Sequence, residues 1–115
     1  MSTLAENIRR NRSKPRTKIT VEAWGDGSEA AVIYASPLTA GDIDRIQKKH
    51  KDFLSNMSVA AMVDLIILKA ETAEGDKAFT LEDRPILMRE SLTVISDVAG
   101  QMFGEPESIE EMEKN

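Results

Sequence analysis

The chain carries few side chains that could perform covalent chemistry. It has no cysteine and a single histidine, His50, which lies among the lysines at positions 48, 49 and 51. Catalysis by histidine needs a nucleophile or another partner within reach, and no such pairing is recognisable in the sequence. We therefore interpret the run 48–51 as the solvated face of a helix, with His50 at the surface. We expect no enzyme activity, no catalytic residue and no cofactor.

Acidic side chains gather in the loop after Lys69, where Glu71, Glu74 and Asp76 offer carboxylates to a cation. A calcium loop needs ligands at five regular positions and a glutamate at its end, and this loop lacks that spacing. We therefore expect no metal site. Gly75 indicates a tight turn instead, and we expect the nearby Phe79 to pack back onto the core.

Length and total charge set the broad class. The chain has 115 residues and a net charge of −5, which fits one domain and argues against a dedicated nucleic-acid binder. No apolar run reaches the ~20 residues that a membrane span requires, and the N-terminus lacks the apolar core of a signal peptide. We expect a soluble cytoplasmic protein with no membrane partner.

The two ends of the chain carry opposite charge. We expect residues 1–17 to form a flexible basic arm, with a short amphipathic helix through Arg10 as the alternative. Residues 105–115 are expected to form an acidic disordered tail. Opposite charges attract within a chain or between copies, subject to salt screening, so a homo-oligomer is one possible state. The charged side chains are Arg9, Arg10, Arg12, Lys14, Arg16 and Lys18 at the start, and Glu105, Glu107, Glu110, Glu111 and Glu113 at the end.

The first elements that would position these residues form a hairpin. Apolar and polar side chains alternate over residues 18–24, which is the pattern of a strand. Gly25-Asp26-Gly27-Ser28 indicates a turn, and residues 30–35 form a second β-prone run that ends before Pro37. These features predict an antiparallel hairpin. Trp24 is expected to be a partly buried packing anchor.

Two helices are predicted after the hairpin. Thr39 is an N-cap with Asp42 in the first turn, and a thin apolar stripe continues to about Leu54 while the charged residues, Asp42 among them, face water. Ser58 caps a helix to about residue 70 that is apolar on nearly every face and must be buried on most sides. Asp64 is the only charge between residues 59 and 68. We expect it on the one exposed side, because a buried unpaired carboxylate is costly.

The last part of the chain contains a proline that divides two helices. A helix starting at Thr80 would lose a hydrogen bond at Pro85, whereas a start near Arg84 places Pro85 in the first turn. We expect a turn at Thr80, a short helix from Arg84 and, after Ser91, a longer helix over residues 92–103. The segments together predict one α+β domain over residues 18–104: an N-terminal β-hairpin packed on a small, helix-dominated domain of three to four α-helices.

Six motifs follow one another in a recognisable order. They are Trp24-Gly25, Leu38-Thr39-Ala40, the apolar residues 62–70, Glu74-Gly75-Asp76-Lys77-Ala78-Phe79-Thr80, Glu82-Asp83 and the closing residues 92–103. In this order and spacing the chain resembles the tail assembly chaperones of long-tailed, siphovirus-type bacteriophages. The similarity covers roughly residues 19–104. The basic arm and Pro85 have no counterpart in that pattern.

The resemblance implies a non-enzymatic role in the host cytoplasm. Members of that family bind the long helical tape measure protein, help to recruit tail tube subunits around it and leave before the tail matures. They are therefore absent from the mature virion. Many are also made in a longer form by a programmed ribosomal slip near the end of the gene. A chaperone of this kind needs exposed apolar surface and adaptable side chains. We predict partner contacts at Met102, Phe103, Ile109 and Met112.

A small DNA-binding or regulatory interaction domain, using the helical pair and the basic arm, is the alternative. It requires a recognition helix rich in arginine, lysine, asparagine or glutamine. Residues 92–103 carry only Gln101 of these types, and Asp97 as well. This composition argues against nucleic acid as a partner.

Overall fold

A two-stranded sheet and five α-helices make up the part of the chain that the computed structural model describes, which is residues 3–10 and 16–103. The α+β class predicted from the sequence is confirmed. The additional helix, α1, lies in the segment where a flexible arm was expected. The elements are α1 Leu4–Arg10, β1 Thr17–Val21, β2 Ala31–Ala35, α2 Ala40–Lys49, α3 Val59–Lys69, α4 Arg84–Met88 and α5 Leu92–Met102.

The hairpin forms as predicted, but its first strand is shorter. β1 and β2 pair antiparallel in a register that runs from Thr17 opposite Ala35 to Val21 opposite Ala31. The strand pattern extended to Trp24, whereas residues 22–24 form one turn of 3-10 helix. The reason lies in Gly25, whose N–H donates to the Glu22 carbonyl and whose missing side chain lets the chain pass against the backbone of residue 29.

The helix starts follow the capping signals. The Thr39 hydroxyl accepts a hydrogen bond from the Asp42 N–H, and the Asp42 carboxylate accepts one from the Thr39 N–H, so both ends of a capping box are present. Ser58 caps α3 through the Ala61 N–H, and Ser91 caps α5 through the Val94 N–H. The predicted starts at these three positions are confirmed.

α2 ends earlier than the apolar stripe predicted. The backbone leaves helical geometry at His50, with φ −128° and ψ 80°, and residues 51–55 form turns. These turns place the Phe53 ring in the core, where it is fully buried and stacks on Phe103 with 5.7 Å between ring centroids. Leu54, the predicted end of the helix, is exposed.

The predicted division of the segment around Pro85 is confirmed. Leu81–Asp83 is a 3-10 turn, and the Thr80 N–H donates to the Asp83 carboxylate over 2.9 Å. α4 then begins at Arg84, so Pro85 falls in its first turn, where its missing N–H removes no helical hydrogen bond.

The core is organised around α3. This helix packs against α2, α4 and α5, while α5 also packs against β1. The prediction that α3 is buried on most sides is confirmed, since six of its eleven residues are buried. The inward side of the hairpin contributes Ile19, Val21, Ile33 and Ala35 to the same cluster. No helix within residues 3–10 and 16–103 is long and apolar enough to cross a membrane.

Candidate functional site

An open cleft separates α2 from α3, and we call it the α2–α3 cleft. Its volume is about 280 Å³. The apolar part of its lining comes from both helices and from the 3-10 turn before α4: Ile46, Ile67, Leu68 and Leu81. Ile46 is the one buried side chain of α2. The helix packs on the core through Ile46 and, less deeply, through Ile43, and the cleft opens beside Ile46.

A largely buried ion pair fastens α2 to α3 at one end of the cleft. The Lys69 Nζ donates to the Asp42 carboxylate over 2.8 Å and to the Ser36 hydroxyl over 2.9 Å. Burial raises the pKa of Asp42, but the hydrogen bond and charge of Lys69, with the hydrogen bonds from Thr39, lower it further, so the pKa lies below its usual value. The prediction that Asp42 faces water is therefore wrong. Its side chain is only 17% exposed.

A second polar group fastens the other end of α2. The Asp64 carboxylate accepts from His50 Nε2 through one oxygen and from Arg84 Nε through the other, each over 2.8 Å. An ionised carboxylate only accepts hydrogen bonds, so Nε2 carries the proton of this contact. We call these three residues the Asp64 bridge. It joins the C-terminal end of α2 and the start of α4 to the middle of α3.

The Asp64 bridge corrects two predictions from the sequence. Asp64 was expected to be exposed and His50 to lie at the surface, but their side chains are 10% and 20% exposed. Burial raises the pKa of Asp64, but the hydrogen bonds from Arg84 and His50 and the charge of Arg84 outweigh that effect and lower the pKa below its usual value. Asp64 in turn raises the pKa of Arg84. The carboxylate is thus buried because two partners compensate it.

The polar pair in the cleft lining is engaged within the fold. His50 and Asp64 lie in its lining, yet both oxygens of Asp64 are engaged by neighbours within the fold. Among the residues that the structure describes, the lining contains no hydroxyl or thiol that could act as a nucleophile. The pair therefore acts as a bridge between elements.

Three cations stand around the apolar lining: Arg45, Lys49 and Lys77. Arg45 and Lys49 are one helical turn apart on α2, and neither pairs with a carboxylate within the described residues. The Lys77 Nζ donates weakly to the Leu68 carbonyl over 3.4 Å. Lys48, on the outer side, pairs with Asp44 over 3.6 Å. The cleft therefore combines an apolar interior with a rim of available positive charge.

The predicted partner contacts lie elsewhere or outside the described residues. Met102 is 4% exposed and belongs to the core. Phe103 is 39% exposed and rests on Phe53. The structure thus brings Met102 and Phe103 to one end of the core but not to the α2–α3 cleft. Ile109 and Met112, like the rest of the acidic tail, lie beyond residue 103. The partner-binding role of these four residues stays a prediction.

The cleft residues were missed because their charges were interpreted as a solvated face. The available signal was the spacing of Arg45 and Lys49, which places two cations on the side of α2 that carries Ile46. One carboxylate of the 71–76 loop is engaged within the fold. Glu71 pairs with Arg16 over 3.1 Å, and Gly75 adopts φ +94°, the left-handed conformation that the turn requires.

Other apolar side chains are exposed along two short segments. Leu4 and Ile8 of α1 are 82% and 71% exposed, and they form a stripe at helical spacing. Between residues 81 and 92, four large apolar side chains are exposed: Leu81, Ile86, Met88 and Leu92. Leu81 belongs to both this segment and the cleft. The chain thus exposes apolar side chains in these two segments as well as at the cleft.

The described residues contain no group of three or more side chains suited to hold a metal ion. Comparisons of this chain with known protein families, with curated proteins and with solved structures found no match.

Proposed function

We propose that this protein is a non-enzymatic phage tail assembly chaperone. In this proposal it binds the tape measure protein in the host cytoplasm, helps to recruit tail tube subunits and is absent from the mature virion. The observation that carries the proposal is the α2–α3 cleft. An apolar, cation-rimmed opening beside further exposed apolar side chains suits the holding of another protein chain.

The packing of two of the resembling motifs supports the same proposal. Trp24 of the hairpin motif meets Phe79 of the turn motif edge to face, with 5.5 Å between ring centroids. The Trp24 indole N–H donates to the Glu90 carboxylate over 2.6 Å. Two stretches some fifty residues apart in the sequence therefore depend on each other for packing. Motifs that stabilise one fold together are expected to occur together.

The DNA that follows the codon for Asn115 provides the first test. The proposal predicts an A-rich slippery run near the codons for Glu113-Lys114-Asn115, an overlapping shifted frame and then a gene for a very long helical protein. That long protein is then co-expressed with the full chain. We expect it to be recovered in soluble form together with the chain, and to aggregate without it. Unrelated metabolic genes at this position, or no co-purification, would contradict the proposal.

The DNA-binding alternative is tested on the same preparation. α5 turns Ile95, Val98, Ala99 and Met102 into the core, and its exposed side includes Asp97. A helix with an acidic exposed side is poorly suited to a DNA groove. We therefore expect no retardation of nonspecific duplex DNA at low salt. Retardation that disappears at high salt would favour the alternative.

A further inference from the structure

We propose that the α2–α3 cleft docks an acidic amphipathic helix of the partner protein. One or two apolar side chains of that helix would enter the cleft, and carboxylates beside them would meet Arg45, Lys49 and Lys77. The inference rests on the proposed function, because it names the kind of segment that the chaperone would hold. It also places the contact away from Met102 and Phe103.

The size of the cleft points to side chains of a larger partner. Its volume of about 280 Å³ lies at the lower limit of small-molecule pockets, which enclose about 300–1,000 Å³. The cleft is also open along the groove between two helices. Such a groove accepts a third helix that lies across its mouth and inserts apolar anchors at helical spacing.

The positive charge around the cleft favours a partner segment with negative charge. The chain as a whole has a net charge of −5, yet the side chains that surround the apolar lining are mainly cationic. Arg45 and Lys49 lie on either side of Ile46 in sequence, so each stands close to the point where an apolar anchor would enter. An acidic segment gains these contacts, whereas a basic segment is repelled.

The cleft is held open by the fold, which reduces the cost of binding. The Lys69–Asp42 pair fastens one end of α2, and the Asp64 bridge fastens the other. A groove that is already formed loses little conformational freedom when a partner docks. These two fasteners thus act as positioning groups, and the cations and apolar residues between them make the contact.

The sign of charge also excludes one occupant from the described chain. α1 carries an apolar stripe, but it ends in Arg9 and Arg10, whose charges match those of the rim. The acidic residues 105–113 have the opposite charge. Their occupation of the cleft is therefore a competing outcome that the experiment must separate from partner binding.

The probe is a fluorescein-labelled synthetic amphipathic helix of about 20 residues, with leucine at positions i, i+3, i+4 and i+7 and glutamate on the remaining face. A matched peptide carries lysine in place of each glutamate. Fluorescence anisotropy at low and physiological salt measures binding to the full chain. We expect the acidic peptide to bind and to weaken with salt, and the basic peptide not to bind.

Two variants with equal change of charge locate the contact. R45E/K49E reverses the rim, whereas K48E/K51E reverses two lysines on the same stretch that do not line the cleft. We expect R45E/K49E to weaken binding by about tenfold or more, and K48E/K51E by about twofold or less. Equal losses in the two variants would overturn the inference, as would binding of the basic peptide as tightly as the acidic one.

Two further measurements test the contact independently of these variants. The first measurement does not depend on the folding of R45E/K49E: the wild-type chain is titrated with the acidic peptide and its amide chemical shifts are recorded. We expect shifts to change at Ile46, Leu68 and Leu81. Changes confined to the end of α5 would overturn the inference. The second measurement is the peptide affinity of a full-chain variant in which all five glutamates of residues 105–113 are replaced with glutamine. A tenfold or greater gain in peptide affinity would assign the cleft to the chain's own acidic segment instead.

Co-purification with the tape measure protein separates the role of the cleft from the chaperone function. If the wild-type chain and R45E/K49E recover the tape measure protein equally well, the chaperone function stands and the cleft is not its contact. If the acidic peptide binds at the cleft but no tape measure protein co-purifies, the binding specificity stands and the phage role falls.

Discussion

The two sides of α3 are joined to their neighbours by different forces. Towards α5 the contact is apolar, with Val98 and Ala99 of α5 fully buried in the core. Towards α2, one buried isoleucine is flanked by the Lys69–Asp42 pair and the Asp64 bridge. The first interface is closed, whereas the second leaves the α2–α3 cleft open. The same helix thus supplies the centre of the core and one wall of the proposed binding surface.

The difference shows how a small domain can keep a stable core at one interface and an accessible cleft at another. Apolar burial is not directional and favours close contact between elements. Ion pairs and hydrogen bonds, in contrast, fix distances and angles at particular points. α2 is positioned by polar contacts near its two ends, so the space between these contacts stays available to a partner. We expect four measurements to distinguish the two interfaces. The variant used in the first is expected to lose more stability than the other variants.

Truncation of Ile95 tests the closed interface. Its side chain is fully buried in α5, so Ile95→Ala removes apolar contacts and leaves a cavity, and we expect a loss of about 2–5 kcal/mol in the free energy of unfolding. Chemical denaturation monitored by the fluorescence of Trp24 measures the change. The control is Ile86→Ala, because Ile86 is 70% exposed, and it should change stability by about 0.5 kcal/mol or less. Equal losses would show that the core is not where the structure places it.

Removal of Asp64 tests the open interface. Asp64→Ala leaves His50 and Arg84 without their shared acceptor, and we expect a loss of about 1–3 kcal/mol in the free energy of unfolding. The loss should be local as well as global, since the Asp64 bridge holds the end of α2. Hydrogen exchange should therefore accelerate more at the amides of α2 than at those of α5.

Asp44→Ala provides the matched control for that variant. Asp44 lies on the outer side of α2, where it is 71% exposed and pairs only with Lys48 within the described residues. We expect little change in stability or exchange, because an exposed ion pair contributes little. If α2 and α5 exchange equally fast in Asp64→Ala, the two interfaces are not separable units.

Acidification should weaken the open interface selectively. The folded pKa values of Asp42 and Asp64 both lie below the ordinary value of 3.8, so these carboxylates stabilise the fold above that pH. Their contribution is lost as the pH falls from about 5 towards and through their folded pKa values. Denaturation at a series of pH values should give a smaller dependence on pH in Asp42→Asn/Asp64→Asn than in the wild type.

Asp26 requires a separate control in that experiment. Backbone N–H groups of Ser28 and Glu29, with the Ser28 hydroxyl, lower the pKa of Asp26 to about 2. Asp26→Asn therefore also changes the response to acid, but it should leave hydrogen exchange in α2 unchanged. If the double variant at Asp42 and Asp64 loses as much stability in acid as the wild type, these two carboxylates are not the source of the acid response.

Local signals in the sequence were sufficient for most of the fold. Capping at Thr39, Ser58 and Ser91 depends on side chains within three residues of the helix start. Pro85 falls in the first turn of α4 because its ring lacks the N–H that a later helical position requires. The apolar circumference of α3 predicted its burial for the same reason. Each of these features is decided by neighbours in the chain, which the sequence displays directly.

The polar contacts of the candidate site could not be predicted in the same way. His50 and Asp64 are fourteen residues apart, and Asp64 and Arg84 are twenty apart. A charge in an apolar helix is expected to be exposed unless a partner is known, and the partners here come from the ends of two other elements. The same applies to Lys69, whose acceptors Ser36 and Asp42 precede it by 33 and 27 residues.

The smallest effect is expected for Lys48→Ala, which removes a charge on the outer side of α2. Lys48 pairs with Asp44 over 3.6 Å while both side chains are more than 70% exposed, so we expect the free energy of unfolding to change by about 0.5 kcal/mol or less. Part of that change comes from the loss of a cation near the C-terminal end of the helix. Binding of the acidic peptide should persist, because Lys48 does not line the cleft. If Lys48→Ala loses as much stability as Asp64→Ala, then burial does not distinguish the Lys48–Asp44 pair from the Asp64 bridge. The contrast between the contacts that hold α2 on α3 and the charges on its outer side would then fail.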